Sequence, residues 1–143
     1  MHHASWRQTI FWPFAHMSNH GRGSVLRALV ESDTYSTAYH DPRGPNDPPI
    51  PLPAVPYLKL AAVRTADAGL SVFALNRDLE QPMRMKAEVR GFGGLQVVEA
   101  RTMQDSDLKA TNTKDAPDRI KPHALDGVTI EGGSLAADLP PAS

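Results

Sequence analysis

The residues able to do acid–base or nucleophilic chemistry are scattered along the chain. A pair of carboxylates working as acid and base, or as acid and nucleophile, must face each other across the bond to be broken. The five glutamates are Glu31, Glu80, Glu88, Glu99 and Glu131. Glu88 and Glu99 fall at or near solvent-facing positions of strand-like runs, Glu80 in a turn and Glu131 beside a hairpin, so no catalytic acid or base is assigned. Asp105 and Asp107 make a close acidic pair, read as a solvated loop because charged side chains are mostly exposed. His16 and His20 stand four apart, a spacing that can bring two imidazoles to one zinc ion on a helix. The intervening Met17-Ser18-Asn19 supplies no general-base glutamate and no third ligand follows, so both are read as packing or capping histidines. His2-His3 are read as an incidental or expression-derived start. Gly91-Phe92-Gly93-Gly94 lies between two strand-like runs, where a turn explains it better than a phosphate cradle, and no serine sits in a nucleophile elbow. Neither a metal nor a cofactor is expected.

These scattered groups need a scaffold, and 143 residues with 41% hydrophobic content give one domain's length and a real core. The formal charge of -1 comes without a block of like charges, which makes nucleic acid and membrane surfaces unlikely partners. With no cysteine, disulfides, thiolate nucleophiles and Cys-ligated zinc are excluded, in keeping with a reducing compartment. No apolar run approaches a bilayer span, and Met1-His2-His3-Ala4-Ser5 lacks the features of a signal peptide, so a cytoplasmic location is expected.

Residues 6–20 carry two Trp and two Phe, with apolar positions at helical intervals such as Ile10, Phe14 and Met17. The pattern predicts a helix with Thr9 as N-cap, Pro13 near the first turn and Gly21 or Gly23 at its end. So much apolar surface on one helix calls for burial against something large. Residues 24–31 and 34–39 read as extended. The proline density of 41–56 predicts an extended, polyproline-like connector. Beyond it the period becomes two. Leu58, Leu60 and Ala62 alternate, and Val72-Phe73-Ala74-Leu75 is apolar on both faces, as in a central strand covered on both sides. Met83, Met85, Ala87 and Val89 alternate with charged residues. Residues 95–103 read as a strand with a bulge between Val97 and Val98, and 128–131 with 134–139 as a hairpin turning on Gly132-Gly133. The sum is a mainly β chain, an antiparallel sandwich.

Several stretches resemble a known family. Trp6-Arg7-Gln8-Thr9-Ile10-Phe11-Trp12-Pro13-Phe14, followed by His16 and Gly21-Arg22-Gly23, looks like the signature that ends the catalytic barrel of family 51 α-L-arabinofuranosidases. In the same order, Val55-Pro56-Tyr57-Leu58, Phe73-Ala74-Leu75-Asn76-Arg77-Asp78-Leu79 and Asp107-Leu108-Lys109-Ala110-Thr111-Asn112-Thr113 resemble the sandwich that follows that barrel. The resemblance spans Trp6 to Pro140.

It implies a jelly-roll-like β-sandwich preceded by a helical remnant of a (β/α)8 barrel. Residues 1–35 would be the end of the barrel, 36–56 a Pro-rich connector and 57–143 the sandwich. It also implies retaining hydrolysis of terminal α-L-arabinofuranosyl residues from arabinan, arabinoxylan or their oligosaccharides by a full-length, homo-oligomeric parent. Gln8, just after the last barrel strand, would hydrogen-bond a hydroxyl of the arabinofuranose in the donor subsite. The family's acid/base and nucleophile glutamates lie N-terminal to the resembling segment, so this chain alone is expected to be inactive. A different class of function, a non-catalytic carbohydrate-binding or structural sandwich, would call for exposed aromatic platforms, yet only Phe73 and Phe92 follow Tyr57.

Overall fold

The computed structural model describes residues 5–143, so the His2-His3 pair lies outside the described residues. Among the described residues one helix, α1 (Phe11–His20), precedes ten strands: β1 (Gly23–Leu26), β2 (Thr34–Tyr39), β3 (Ile50–Pro56), β4 (Leu58–Thr65), β5 (Leu70–Asn76), β6 (Met83–Glu88), β7 (Arg101–Thr102), β8 (His123–Ala124), β9 (Thr129–Glu131) and β10 (Ser134–Leu139).

The helix begins later than its sequence suggests. Phe11 N–H donates to the Gln8 carbonyl at 2.9 Å, and the cap position falls to Ile10, which makes no side-chain cap bond. Thr9, the expected cap, instead offers its carbonyl to Trp12 N–H at 3.4 Å. Pro13 is the third helical residue, where a missing N–H leaves no bond unmade. Gly21 N–H closes the C-terminus on the Met17 carbonyl at 2.8 Å, as expected. None of the helix's own residues is buried.

Two three-stranded antiparallel sheets, ordered β1-β4-β5 and β6-β10-β9, build the sandwich. Leu58 of β4 meets Met85 of β6 and Ala137 and Leu139 of β10 in its core, flanked by Leu60, Ala74, Met83 and Leu135. Strict alternation put Met85 inward, at 4% exposure, with Arg84 and Lys86 outward. Burying one such side chain contributes about 1.5–3 kcal/mol. The β9–β10 hairpin turns on Gly132 (φ 55°) and Gly133 (φ 81°), the two positive values that a two-residue type I′ turn requires.

Besides the helix cap, three expectations are corrected, and the extended stretch 24–31 is met in part. The apolar run 72–75 does not make a central strand: β4 is central, β5 is an edge, and Leu75 stays 43% exposed. An apolar run reports burial, but it does not say which neighbour will arrive, and here β1 pairs with the free side of β4. The extended stretch 24–31 is paired only as far as Leu26. Of residues 95–103 only Arg101–Thr102 is paired, with His123–Ala124, and Val98 is 97% exposed, so no bulged strand forms there. The Pro-rich stretch is not wholly unpaired, because β3 joins β2 in a two-stranded ribbon whose register shifts between Tyr35 and Thr37. A proline-bearing strand is tolerated at an edge, since it need donate to one neighbour at most.

Candidate functional site

Gln8 is exposed and lies three residues before α1. The backbone on either side of it is held. Ahead of it, the Arg7 carbonyl accepts a 2.9 Å hydrogen bond from Asn112 Nδ2, and Trp6 Nε1 donates to the Asn112 carbonyl at 3.0 Å. Behind it, the Gln8 carbonyl takes the Phe11 N–H. The Arg7 guanidinium lies 5.2 Å from the ring centroids of both Phe11 and Trp12, a cation–π contact that folds its side chain back over the start of the helix. Close by, the Thr9 hydroxyl and Trp12 Nε1 are buried with no hydrogen-bond partner among the described residues.

The anchor for this segment comes from the far end of the sequence. Asn112 is 2% exposed. Its Nδ2 also donates to the Ile120 carbonyl at 2.9 Å, and its Oδ1 accepts the Ile120 N–H at 2.8 Å. The loop around it is braced by Arg119, which bonds Asp105 at 3.3 Å and Asp107 at 3.2 Å, while Asp107 N–H donates to Asp105 Oδ1 at 2.8 Å. These contacts, the Asp107 N–H first and Arg119 second, hold the Asp105 carboxyl below its ordinary value. Asp105 and Asp107 thus shape a loop around one guanidinium.

Two of the glutamates are likewise paired on the surface, Glu88 with Arg90 and Glu99 with Arg101. The Arg101 hydrogen bond first, and the Arg101 charge second, hold the Glu99 carboxyl below its ordinary value. His16 and His20 stack with ring centroids 5.9 Å apart, and no group of three or more potential metal ligands gathers among the described residues. A cavity of about 210 Å³ beside the β9–β10 turn is lined by Val89, Phe92, Leu95, Ile130 and glycines, with no side chain able to act as acid or base. Sequence reasoning missed Asn112 and Asn76. Asn76, fully buried, donates through Nδ2 to the carbonyls of Gln81 and Pro140 at 3.0 and 2.9 Å. Both stood inside the stretches that carry the resemblance, but periodicity gives a buried asparagine no signal distinct from a loop asparagine.

The model of the family described as alpha-L-arabinofuranosidase C-terminal domain matches residues 2–143. The chain belongs to that family. An intracellular exo-alpha-(1->5)-L-arabinofuranosidase of Streptomyces lividans is 37% identical over 139 residues, which cover 97% of this chain and 19% of that protein. Its namesake in Halalkalibacterium halodurans is 32% identical, covering 94% and 24%. A solved family 51 alpha-L-arabinofuranosidase of Bifidobacterium longum superposes with a TM-score of 0.74 at 26% identity, over 95% of this chain and 24% of that one. The arabinofuranosidase C-terminal domain described here therefore spans about a fifth to a quarter of the length of these curated relatives. The expected antiparallel, mainly β architecture and the family resemblance both hold.

Proposed function

We propose that this arabinofuranosidase C-terminal domain serves a retaining α-L-arabinofuranosidase as the closing segment of its catalytic barrel and as a supporting sandwich. Residues 1–35 are the barrel's end, 36–56 the connector and 57–143 the sandwich. Strand β1 of the first segment is hydrogen-bonded to β4, so the barrel's exit is tied into the sandwich. The parent enzyme releases terminal α-L-arabinofuranosyl residues from arabinan, arabinoxylan or their oligosaccharides; the relatives' names support the exo-acting arabinofuranosidase and its place inside the cell. Its two catalytic carboxylates lie outside this chain, and Gln8 contributes a hydrogen bond to a sugar hydroxyl.

The observation that carries this reading is Gln8 itself: an exposed carboxamide on a backbone fixed from both sides. Apolar surface supports the assembly. Ile10, Phe14 and Met17 of the helical segment are 66%, 69% and 55% exposed, a stripe fit to pack on the rest of a barrel. Tyr39, Ile50 and Leu52 on the β2–β3 ribbon offer surface for a homo-oligomeric parent. A purely sugar-binding sandwich is disfavoured by its aromatics, because Tyr57 packs on Tyr35 at 4.9 Å and Phe92 lies under Arg64.

The test compares two proteins on an aryl α-L-arabinofuranoside. The 143-residue chain is expected to release nothing. A graft of residues 6–143 in place of the matching segment of the Streptomyces lividans enzyme is expected to be active. In that graft Gln8→Ala lowers kcat/KM by an amount worth about 1–3 kcal/mol, the range for leaving a buried polar partner unsatisfied. Turnover by the chain alone, or an unchanged kcat/KM in Gln8→Ala, defeats the reading.

A further inference from the structure

We infer that Asn112 is a positioning residue for Gln8, setting the direction of its side chain from the far end of the sequence; this rests on the reading of Gln8 as a sugar contact. The carbonyl that Asn112 holds belongs to the peptide joining Arg7 to Gln8. A peptide is planar, so fixing that oxygen fixes the Gln8 N–H and the Gln8 Cα in the same plane. The following plane is held by the Gln8 carbonyl accepting Phe11 N–H. With both flanking planes held, an exposed side chain that nothing else restrains still starts from a fixed Cα–Cβ direction.

The aim of Asn112 is itself predetermined. Its two-point bond with the Ile120 backbone uses Oδ1 and one Nδ2 hydrogen, which orients the carboxamide and leaves the second hydrogen for Arg7. Trp6 Nε1, bonded to the Asn112 carbonyl, prevents the segment from sliding along its anchor. A side chain at 2% exposure with every polar atom engaged has no competing water partner, so the arrangement is stiff. Stiffness of this kind has functional weight, since a displacement of about 1 Å at a contact made in the transition state can cost about a hundredfold in rate.

Asn112→Asp separates this role from simple packing. It keeps the side chain's size and the acceptor for Ile120 N–H, but removes the donor to the Arg7 carbonyl together with the one to the Ile120 carbonyl, and the Gln8→Ala background separates the first effect from the second. In the active graft we expect it to lower kcat/KM about tenfold, and to lower it no further when Gln8 is already Ala, because the carboxamide to be positioned is then gone. Trp6→Phe, which keeps an aromatic ring but loses the indole N–H, is expected to give a smaller loss that also vanishes in the Gln8→Ala background. It carries the test should Asn112→Asp fail to fold. A loss equally large with and without Gln8, or none at all, overturns the inference and leaves the Gln8 reading intact provided Gln8→Ala alone is impaired. An unimpaired Gln8→Ala defeats the sugar contact and the inference together.

Discussion

At Asp105 a single carboxylate shows how this chain spends its charged residues on shape. Its acceptor bonds from the Asp107 N–H and Arg119 favour the ionised form, so its carboxyl titrates below the ordinary value of 3.8 when the loop is folded. A group whose folded value is depressed contributes stability that is complete above its unfolded value and lost as the pH falls through the folded one. The window is therefore below about pH 4. Arg119→Ala should raise the Asp105 titration midpoint, followed by carboxyl-carbon NMR, and acid unfolding should begin at a higher pH than in the unaltered chain. An unmoved midpoint would show that the backbone bond acts alone. The residue types in this loop were legible as a solvated acidic pair; its bracing by Arg119, twelve and fourteen residues away, was not. Asn112 marks the same limit more sharply, since its 105-residue separation from Arg7 leaves no local trace.

Elements were legible where period and turn chemistry agreed. Strand β6 and the β9–β10 hairpin stand where alternation and Gly132-Gly133 put them, because side-chain period and left-handed glycine turns are both local properties. The position of β4 between β1 and β5 was not local, and it depends on one glycine. Gly23 has φ 147°, and a Cβ there would lie 2.0 Å from the Arg64 carbonyl oxygen. Gly23→Ala is therefore expected to pull β1 off β4 and destabilise the fold by about 1–3 kcal/mol, the range for a forced backbone conformation. Urea unfolding measures the loss, and hydrogen exchange should locate it at Val25 and Leu26 before the rest of the sandwich. Equal protection in both proteins would mean that the strand shifts to accommodate the methyl.

Across the whole molecule each end of the described chain is tied to a residue far from it in sequence, Trp6 and Arg7 to Asn112, and the Ser143 carbonyl to Asn76 N–H at 2.6 Å. The aromatic-rich helix nevertheless keeps its apolar stripe outward. The 143-residue chain should accordingly bind a hydrophobic dye, and Phe14→Ser, at a position 69% exposed, should weaken dye fluorescence while changing stability by no more than about 0.5 kcal/mol. A loss of stability well beyond that would show Phe14 to be part of the chain's own core. By itself the sequence determined a mainly β chain, its family, the helix and its glycine stop, the alternating strands and the hairpin. Each follows from neighbours within a few residues or from ordered motifs. Only the tertiary structure decided which strand is central, that prolines could line a paired ribbon, and that Asn112 holds the backbone of Gln8. Those are contacts between segments far apart in the chain, and no local spacing encodes the partner that a buried hydrogen-bonding group will find.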